Sequence, residues 1–392
     1  MSNNHWNRRD FVRIGMFGGA VVAGTTAGSA GEAAEAKVRY RTLGRTKLKV
    51  SEIAFGSFMF TVSGVLDAAL SEGINFISTS GLPYQNGAAE KAIGVVLKKR
   101  RKDAVVMTGC DVRKETTKEQ ILKELDGSLE RLGTDHVEVF RAHNLHTVEQ
   151  AQNPAIFEAF ETARAAKKAQ FLGVSTHGGE MEKILNYAAD SGKFDVLVFK
   201  YNFMEPDLGE KAMKTAAEKN LGVAVFKVDA GKREKELEEF TGKGLDLSRA
   251  RRRWALKNPA ISSVVAAFSK FEDVKNAVEI MSKEFDSGDA ALLDQYRLAF
   301  RNTYCRYCGK CEGQCPYGVA VAEVQRYAMY FKYYGREKAA MELYAALPRE
   351  VRAHPCAGCP GYCMRACPHG IDTRAQLAEA HGLLSAPPSA IA

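Results

Sequence analysis

Cysteine is nearly absent from the first three quarters of this 392-residue chain: of nine cysteines, only Cys110 precedes residue 304. That excludes a disulfide framework running through the whole molecule and confines thiol chemistry to the tail. There is no uninterrupted apolar run of about 20 residues, the length a membrane-spanning helix needs. The mildly apolar stretch from Ile14 to about Ala27 is broken by Gly18, Gly19 and Gly24. A basic block is missing too. The net charge of +8 is spread along the chain, so nothing marks a nucleic-acid footprint. What remains, 46% hydrophobic and 26% charged residues, is enough for one large domain and a smaller one.

The opening MSNNHWNRRDFVRIG sets Arg8 and Arg9 ahead of Phe11, and Ala34-Glu35-Ala36 supplies a small-x-small cleavage pattern. This resembles a twin-arginine (Tat) export signal. The resemblance implies a leader over residues 1–36, passage of the folded protein to the periplasm or beyond, and no membrane span after its removal. The competing reading is a chance arginine pair in the leader of a Sec-exported protein.

From Val38 to about Met281, short β-branched runs alternate with segments of helical length and amphipathic pattern, the signature of parallel βαβ units. Eight strands are predicted: Ile53–Gly56, Ile74–Ile77, Ala104–Met107, His136–Phe140, Gln170–Val174, Val196–Phe199, Val223–Phe226 and Ser263–Ala266. Helices are predicted over Lys118–Leu132 and Phe271–Met281, among others. Eight repeats point to a closed α/β barrel of the (β/α)8 type over residues 38–285. Reactive groups in such barrels sit at the strand C-termini. There the sequence places Ser78-Thr79-Ser80, Gly109-Cys110, His143-Asn144, Ser175-Thr176-His177, Tyr201-Asn202 and Lys227. Cys110 reads as a small buried thiol rather than a nucleophile.

Between Tyr40 and Met281 the motifs RTLGRTKLKVSEIAFGSF, GINFISTSGLPYQNGAAEKAIG, FRAHN, FLGVSTH, DVLVFKYNF and GVAVFKVDAGK follow one another in an order that resembles the aldo-keto reductase family. That family reduces carbonyls with NADPH. Its acid is a tyrosine made labile by a lysine and an aspartate, and a histidine orients the substrate. By this resemblance Tyr84 and His143 are the catalytic candidates. The aspartate position holds Ser78 and the lysine position Gly109. A phenol with an ordinary pKa near 10 is a poor acid at neutral pH without such helpers. The nucleotide site is eroded as well. Ser269 and Lys270 remain as phosphate contacts at a helix N-terminus, Ser175 as a carboxamide contact and Lys227 as a further cofactor contact, so NADP(H) is implied by the resemblance while the residues present argue against its ordinary use.

The tail carries Cys305, Cys308, Cys311 and Cys315-Pro316 in C-x2-C-x2-C-x3-C-P spacing, the bacterial ferredoxin run, and Cys356, Cys359, Cys363 and Cys367-Pro368 as a near-duplicate with a longer middle gap. Zinc and disulfides are the competing readings. All-cysteine zinc sites usually pair two CxxC units across a longer loop, and C-x2-C-x2-C places neighbours too close for good bridge geometry. The eight cysteines are therefore expected to hold two [4Fe-4S] clusters. Two-cluster ferredoxins exchange the fourth cysteine, and by that analogy Cys367 joins Cys305, Cys308 and Cys311, while Cys315 joins Cys356, Cys359 and Cys363. Helices, not small sheets, are predicted between the runs, over 319–347. Residues 286–392 so resemble the α-helical ferredoxin-type tails attached to a subgroup of aldo-keto-reductase-like proteins.

Two functions compete. In one, the protein is an exported oxidoreductase or electron-transfer protein, serving a redox partner protein or a small-molecule ligand at the barrel mouth. In the other, the barrel is a non-catalytic binding or scaffold module beside a two-cluster electron carrier.

Overall fold

The computed structural model describes residues 38–58, 60–81, 85–178, 180–230 and 247–385. The leader, residues 1–36, and Tyr84 lie outside these residues. Ten strands form: β1 (Tyr40–Thr42), β2 (Lys49–Ser51), β3 (Ile53–Gly56), β4 (Phe76–Ser78), β5 (Val105–Asp111), β6 (Val137–Leu145), β7 (Ala169–Thr176), β8 (Val196–Lys200), β9 (Gly222–Phe226) and β10 (Ser263–Ala267). Strands β3 to β10 close into a parallel barrel in chain order, the seam being the pairing of Val264 with Ile53. Each runs buried on both faces, because helices cover the outside and side chains fill the inside.

The antiparallel β1–β2 hairpin, which the helix-and-strand periodicity did not reveal, closes the barrel floor. Its Leu43 and Val50 join Phe76, Met107, Val139 and Val198 in the interior core. The helix Lys118–Leu132 begins at a reciprocal cap between Thr117 and Gln120 and ends at Gly133 in the left-handed conformation (φ 61°). Ile121, Leu125, Leu129 and Leu132 are its buried stripe.

Several strands run further than their apolar centres suggest: Ser78 ends β4 and Ser175-Thr176 end β7. Gly109-Cys110 lie inside β5, and His143-Asn144 lie inside β6 rather than after it. The cause lies in two ladders: β5 pairs with β6 as far as Asp111 opposite His143, and β6 shifts register against β7 between Ala142 and Leu145, with Asn144 at φ 57°.

Past the barrel, the helix Ser287–Phe300 packs against the barrel helix Leu247–Leu256. A buried fork from Arg253 to both Asp289 oxygens (2.9 and 3.0 Å) joins them. Tyr296 donates to the Ala230 carbonyl (2.7 Å) and its ring lies under Arg251 (4.4 Å). The tail domain that follows is helical, as expected, with Val321–Tyr334, Glu337–Ala345 and Thr373–Leu384 around a core of Val324, Tyr327, Ala340, Tyr344 and Leu377. It sits over the strand C-termini: Phe58 meets Tyr330 at 5.6 Å, and Phe203 and Met204 share a core with Tyr304, Tyr307 and Met329.

Candidate functional site: the barrel mouth and the cysteine loops

The tail folds as short turns that aim sulfur inward. Cys305, Cys308, Cys311 and Cys367 line one small cavity together with Tyr307, Pro368 and Thr373. The second set is equally compact, with Cys315, Cys359 and Cys363 near enough to Cys356 to oppose its ionisation. The two runs thus exchange their last cysteine. All nine cysteines are free, and among the described residues no three Cys, His, Asp or Glu side chains converge on a point where one metal ion could sit. Four thiols spaced around a cavity suit a cubane better than a single zinc ion or a bridge.

Burial pushes the thiols of Cys305, Cys311 and Cys356 up to about 12. A buried thiolate needs positive charge beside it, which iron supplies, so the donor set fits the group. Backbone N–H groups of Tyr307 and Gly361 donate to the sulfurs of Cys305 and Cys359 (both 3.4 Å), and the Thr373 hydroxyl donates to Cys363 (3.0 Å). Hydrogen bonds of this kind tune cluster potentials.

At the barrel mouth, Arg141 of β6 occupies the place the sequence left empty. It donates to the Ser78 hydroxyl (2.9 Å) and the Thr79 carbonyl (2.7 Å), and a Cβ at Gly109 would collide with its side-chain stem and carbonyl. One guanidinium from β6 therefore lies beside both Ser78 and Gly109. Sequence reading passed over Arg141, although its place two residues before His143 in FRAHN put it on the same face of the strand.

His143 is buried, with Nδ1 3.0 Å from the Ser175 hydroxyl, which also accepts from the Asn144 amide (3.1 Å). Burial, and then the Arg141 charge, hold its pKa well below the ordinary value, so it is neutral at pH 7. Ser175 is therefore engaged in holding the histidine. Ser269 and Lys270 stand at the N-terminus of the helix Phe271–Met281, where both their backbone N–H groups donate to the Asp273 carboxylate (2.7 and 3.0 Å). Neither lines the chamber that holds His146 and His177. Tyr201 is stacked on Trp254 (4.9 Å).

The two regions meet at Tyr307, which lies between Cys305 and Cys308 at φ 57°. Lys200, buried at the end of β8, holds this loop by donating to the Arg306 carbonyl while paired with Glu205 (2.9 Å). A Cβ at Gly178 would come within 2.8 Å of the Tyr307 carbonyl oxygen, so only glycine lets the loop sit this close. Beneath the Tyr307 ring is a chamber of about 320 Å³ bounded by His146, His177 and Lys227 from the barrel and by Glu312, Glu323 and Arg326 from the tail. A wider groove of about 800 Å³, near Thr42 and Asn220, opens at the strand N-termini, away from these groups.

Comparison with known proteins agrees with this division. Residues 59–239 match the Aldo/keto reductase family, and residues 297–368 match a 4Fe-4S dicluster domain. An uncharacterized oxidoreductase, YrpG, of Bacillus subtilis is 29% identical over 221 residues, covering 50% of this chain and 67% of that protein. L-galactose dehydrogenase of Arabidopsis thaliana is 34% identical over 184 residues, covering 41% of this chain and 56% of that enzyme. Among solved structures, the aldo-keto reductase AKR11C1 from Bacillus halodurans superposes with a TM-score of 0.55 at 21% identity, over 66% of this chain and 96% of that one, a likeness of fold.

Proposed function

This chain joins an aldo/keto reductase domain to a 4Fe-4S dicluster domain, and from that premise we propose that it is an exported oxidoreductase that passes electrons between two clusters and a small ligand at the barrel mouth. One observation carries the reading. The loop bearing Cys305 and Cys308 forms the roof of the chamber, with the Tyr307 ring 5.6 Å from Lys227 Nζ.

Each cluster, when bound by its four cysteines, supplies one-electron chemistry at a potential set by its surroundings. Lys200 fixes the roof to the barrel. Ser175 orients the neutral His143, and Arg141 keeps positive charge beside Ser78. Ordinary hydride transfer from NADPH is not the reaction in this reading. The loop covers the strand ends and Asp273 fills the helix N-terminus that phosphate would use. An external redox protein is the electron source. Loss of carboxylate and ammonium at Ser78 and Gly109 also favours the second reading, a binding barrel without turnover, in which reduced clusters keep their electrons whatever ligand is present.

Anaerobically purified protein is expected to carry about eight irons per chain and an absorbance near roughly 400 nm that dithionite bleaches and NADPH does not. A colourless, iron-free chain from a host competent in cluster assembly overturns the proposal, and bleaching by stoichiometric NADPH overturns the external donor. Export is supported by Arg8 and Arg9. Changing both to lysine is expected to leave the protein in the cytoplasm, and unimpaired export of that variant would point to the Sec route.

A further inference from the structure

We propose that the chamber between barrel and tail binds a small monocarboxylic acid, with Lys227 and His177 as its recognition pair. The inference rests on the oxidoreductase reading above and names the ligand class of that site.

Charged side chains from both regions line the chamber. Arg326 is paired with Glu323 along one turn of the helix Val321–Tyr334. Glu312 accepts from the Ala322 backbone N–H (2.8 Å) at the start of that helix. Lys227 is different. Among the described residues its Nζ is buried without a hydrogen-bond acceptor, and the face of Tyr307 at 5.6 Å and the Glu323 charge are its compensation. The Nδ1 of His177 is likewise buried and without a partner, while the ring packs on Phe226 (4.4 Å). Buried polar groups are nearly always satisfied, and with Arg326 Nε three unsatisfied atoms belong to residues lining this one cavity, which marks where a ligand's acceptors belong.

Lys227 also sits at φ 57°, uncommon for a residue with a side chain. It follows β9 directly, so a strained backbone is what turns its amine toward the roof. Burial and the Arg326 charge hold its pKa well below the usual ammonium value, and an anion alongside would restore its charge. His177, kept neutral by burial, can donate from Nδ1 to the second oxygen of the same carboxylate.

Charge number selects the ligand. Lys227 and Arg326 against Glu323 and Glu312 leave the lining without net charge when all four are ionised. A dianion such as phosphate would add two uncompensated charges, whereas a monocarboxylate adds one, held directly by Lys227. Val319, Ala320 and the Tyr307 ring supply apolar wall for a short carbon chain, and about 320 Å³ suits a ligand of modest size.

The test uses the full-length, anaerobic holoprotein whose iron content has been measured. Butyrate, its neutral amide butyramide, and inorganic phosphate are titrated calorimetrically. Butyrate is expected to bind at least tenfold more tightly than either. Lys227→Met is expected to lower butyrate affinity at least tenfold while iron content and melting temperature stay unchanged, and His177→Phe to weaken it less. Equal binding of butyramide, preference for phosphate, or an unaffected Lys227→Met overturns the inference. If the methionine variant does not fold, Lys227→Arg serves, retaining selectivity for butyrate over the amide. Full iron with no butyrate binding sinks this inference alone, whereas an iron-free chain sinks the oxidoreductase reading.

Discussion

The barrel mouth and the cysteine loops assemble polar groups in opposite ways. At the mouth each group comes from a different strand: Ser78 from β4, Arg141 from β6, Ser175 from β7, Lys200 from β8 and Lys227 from just past β9. In the tail, three of every four sulfurs come from a single short run, and only Cys315 and Cys367 cross over. A site gathered from many strands can exchange its chemistry one residue at a time, since each strand is held by its own apolar core. A sulfur run has no comparable freedom, because moving one cysteine empties a whole set.

The largest expected effect tests that rigidity. Cys308→Ser and Cys367→Ser should each reduce iron from about eight to about four per chain and leave the same surviving electron-paramagnetic spectrum. Cys315→Ser and Cys359→Ser should leave the other spectrum. If Cys308→Ser and Cys315→Ser share a surviving spectrum, each run holds its own cluster and the crossover is wrong.

The seam between the regions gives the next effect. Asp289→Ala strands the Arg253 guanidinium in a buried place and should cost about 3–5 kcal/mol in denaturant unfolding. The exposed pair of Lys332 and Glu379 (2.9 Å) is the contrast, expected at under about 1 kcal/mol. Equal losses would mean that the seam contributes no more than the surface.

Both regions could be foreseen to different depths. All eight barrel strands and the helices Lys118–Leu132 and Phe271–Met281 follow from periodicity, because parallel strands buried on both faces and amphipathic helices repeat their pattern locally. The two cysteine runs are likewise written in spacing, while the exchange of Cys315 and Cys367 came only by analogy with two-cluster ferredoxins. Arg141 was hidden because its significance depends on Gly109 across a ladder, a relation between residues 32 apart that no local pattern carries. The docking of Tyr307 on Gly178 and the grip of Lys200 on the Arg306 carbonyl were hidden for the same reason. Its position after the seventh predicted strand placed Lys227 at the mouth, but its lack of an acceptor appears only when the tail is in place.

A smaller effect distinguishes two causes at the mouth. Burial comes first in keeping His143 neutral and the Arg141 charge second. Arg141→Met should therefore raise the histidine pKa, followed by NMR of the imidazole, while costing about 1–3 kcal/mol for the lost hydrogen bonds to Ser78 and Thr79. An unmoved titration would assign the shift to burial alone.

The smallest effect is linked to pH and bears on the meeting point of the two regions. In the empty chamber Lys227 is faced by Arg326 and Glu323 from the tail, by Lys200 from β8 and by His177 after β7. Its pKa is lowered there and rises when an anion arrives, so between the free and bound values carboxylate binding takes up a proton. Affinity must then fall as pH rises through that window, by at most about tenfold per unit, or 1.4 kcal/mol. Below the free-state value it should level off, since the ammonium is already formed. Calorimetry in two buffers of different ionisation heat reads the proton directly. Lys227→Met should abolish the uptake; if uptake survives, His177 is the group being charged, and the chamber works as an imidazolium site instead.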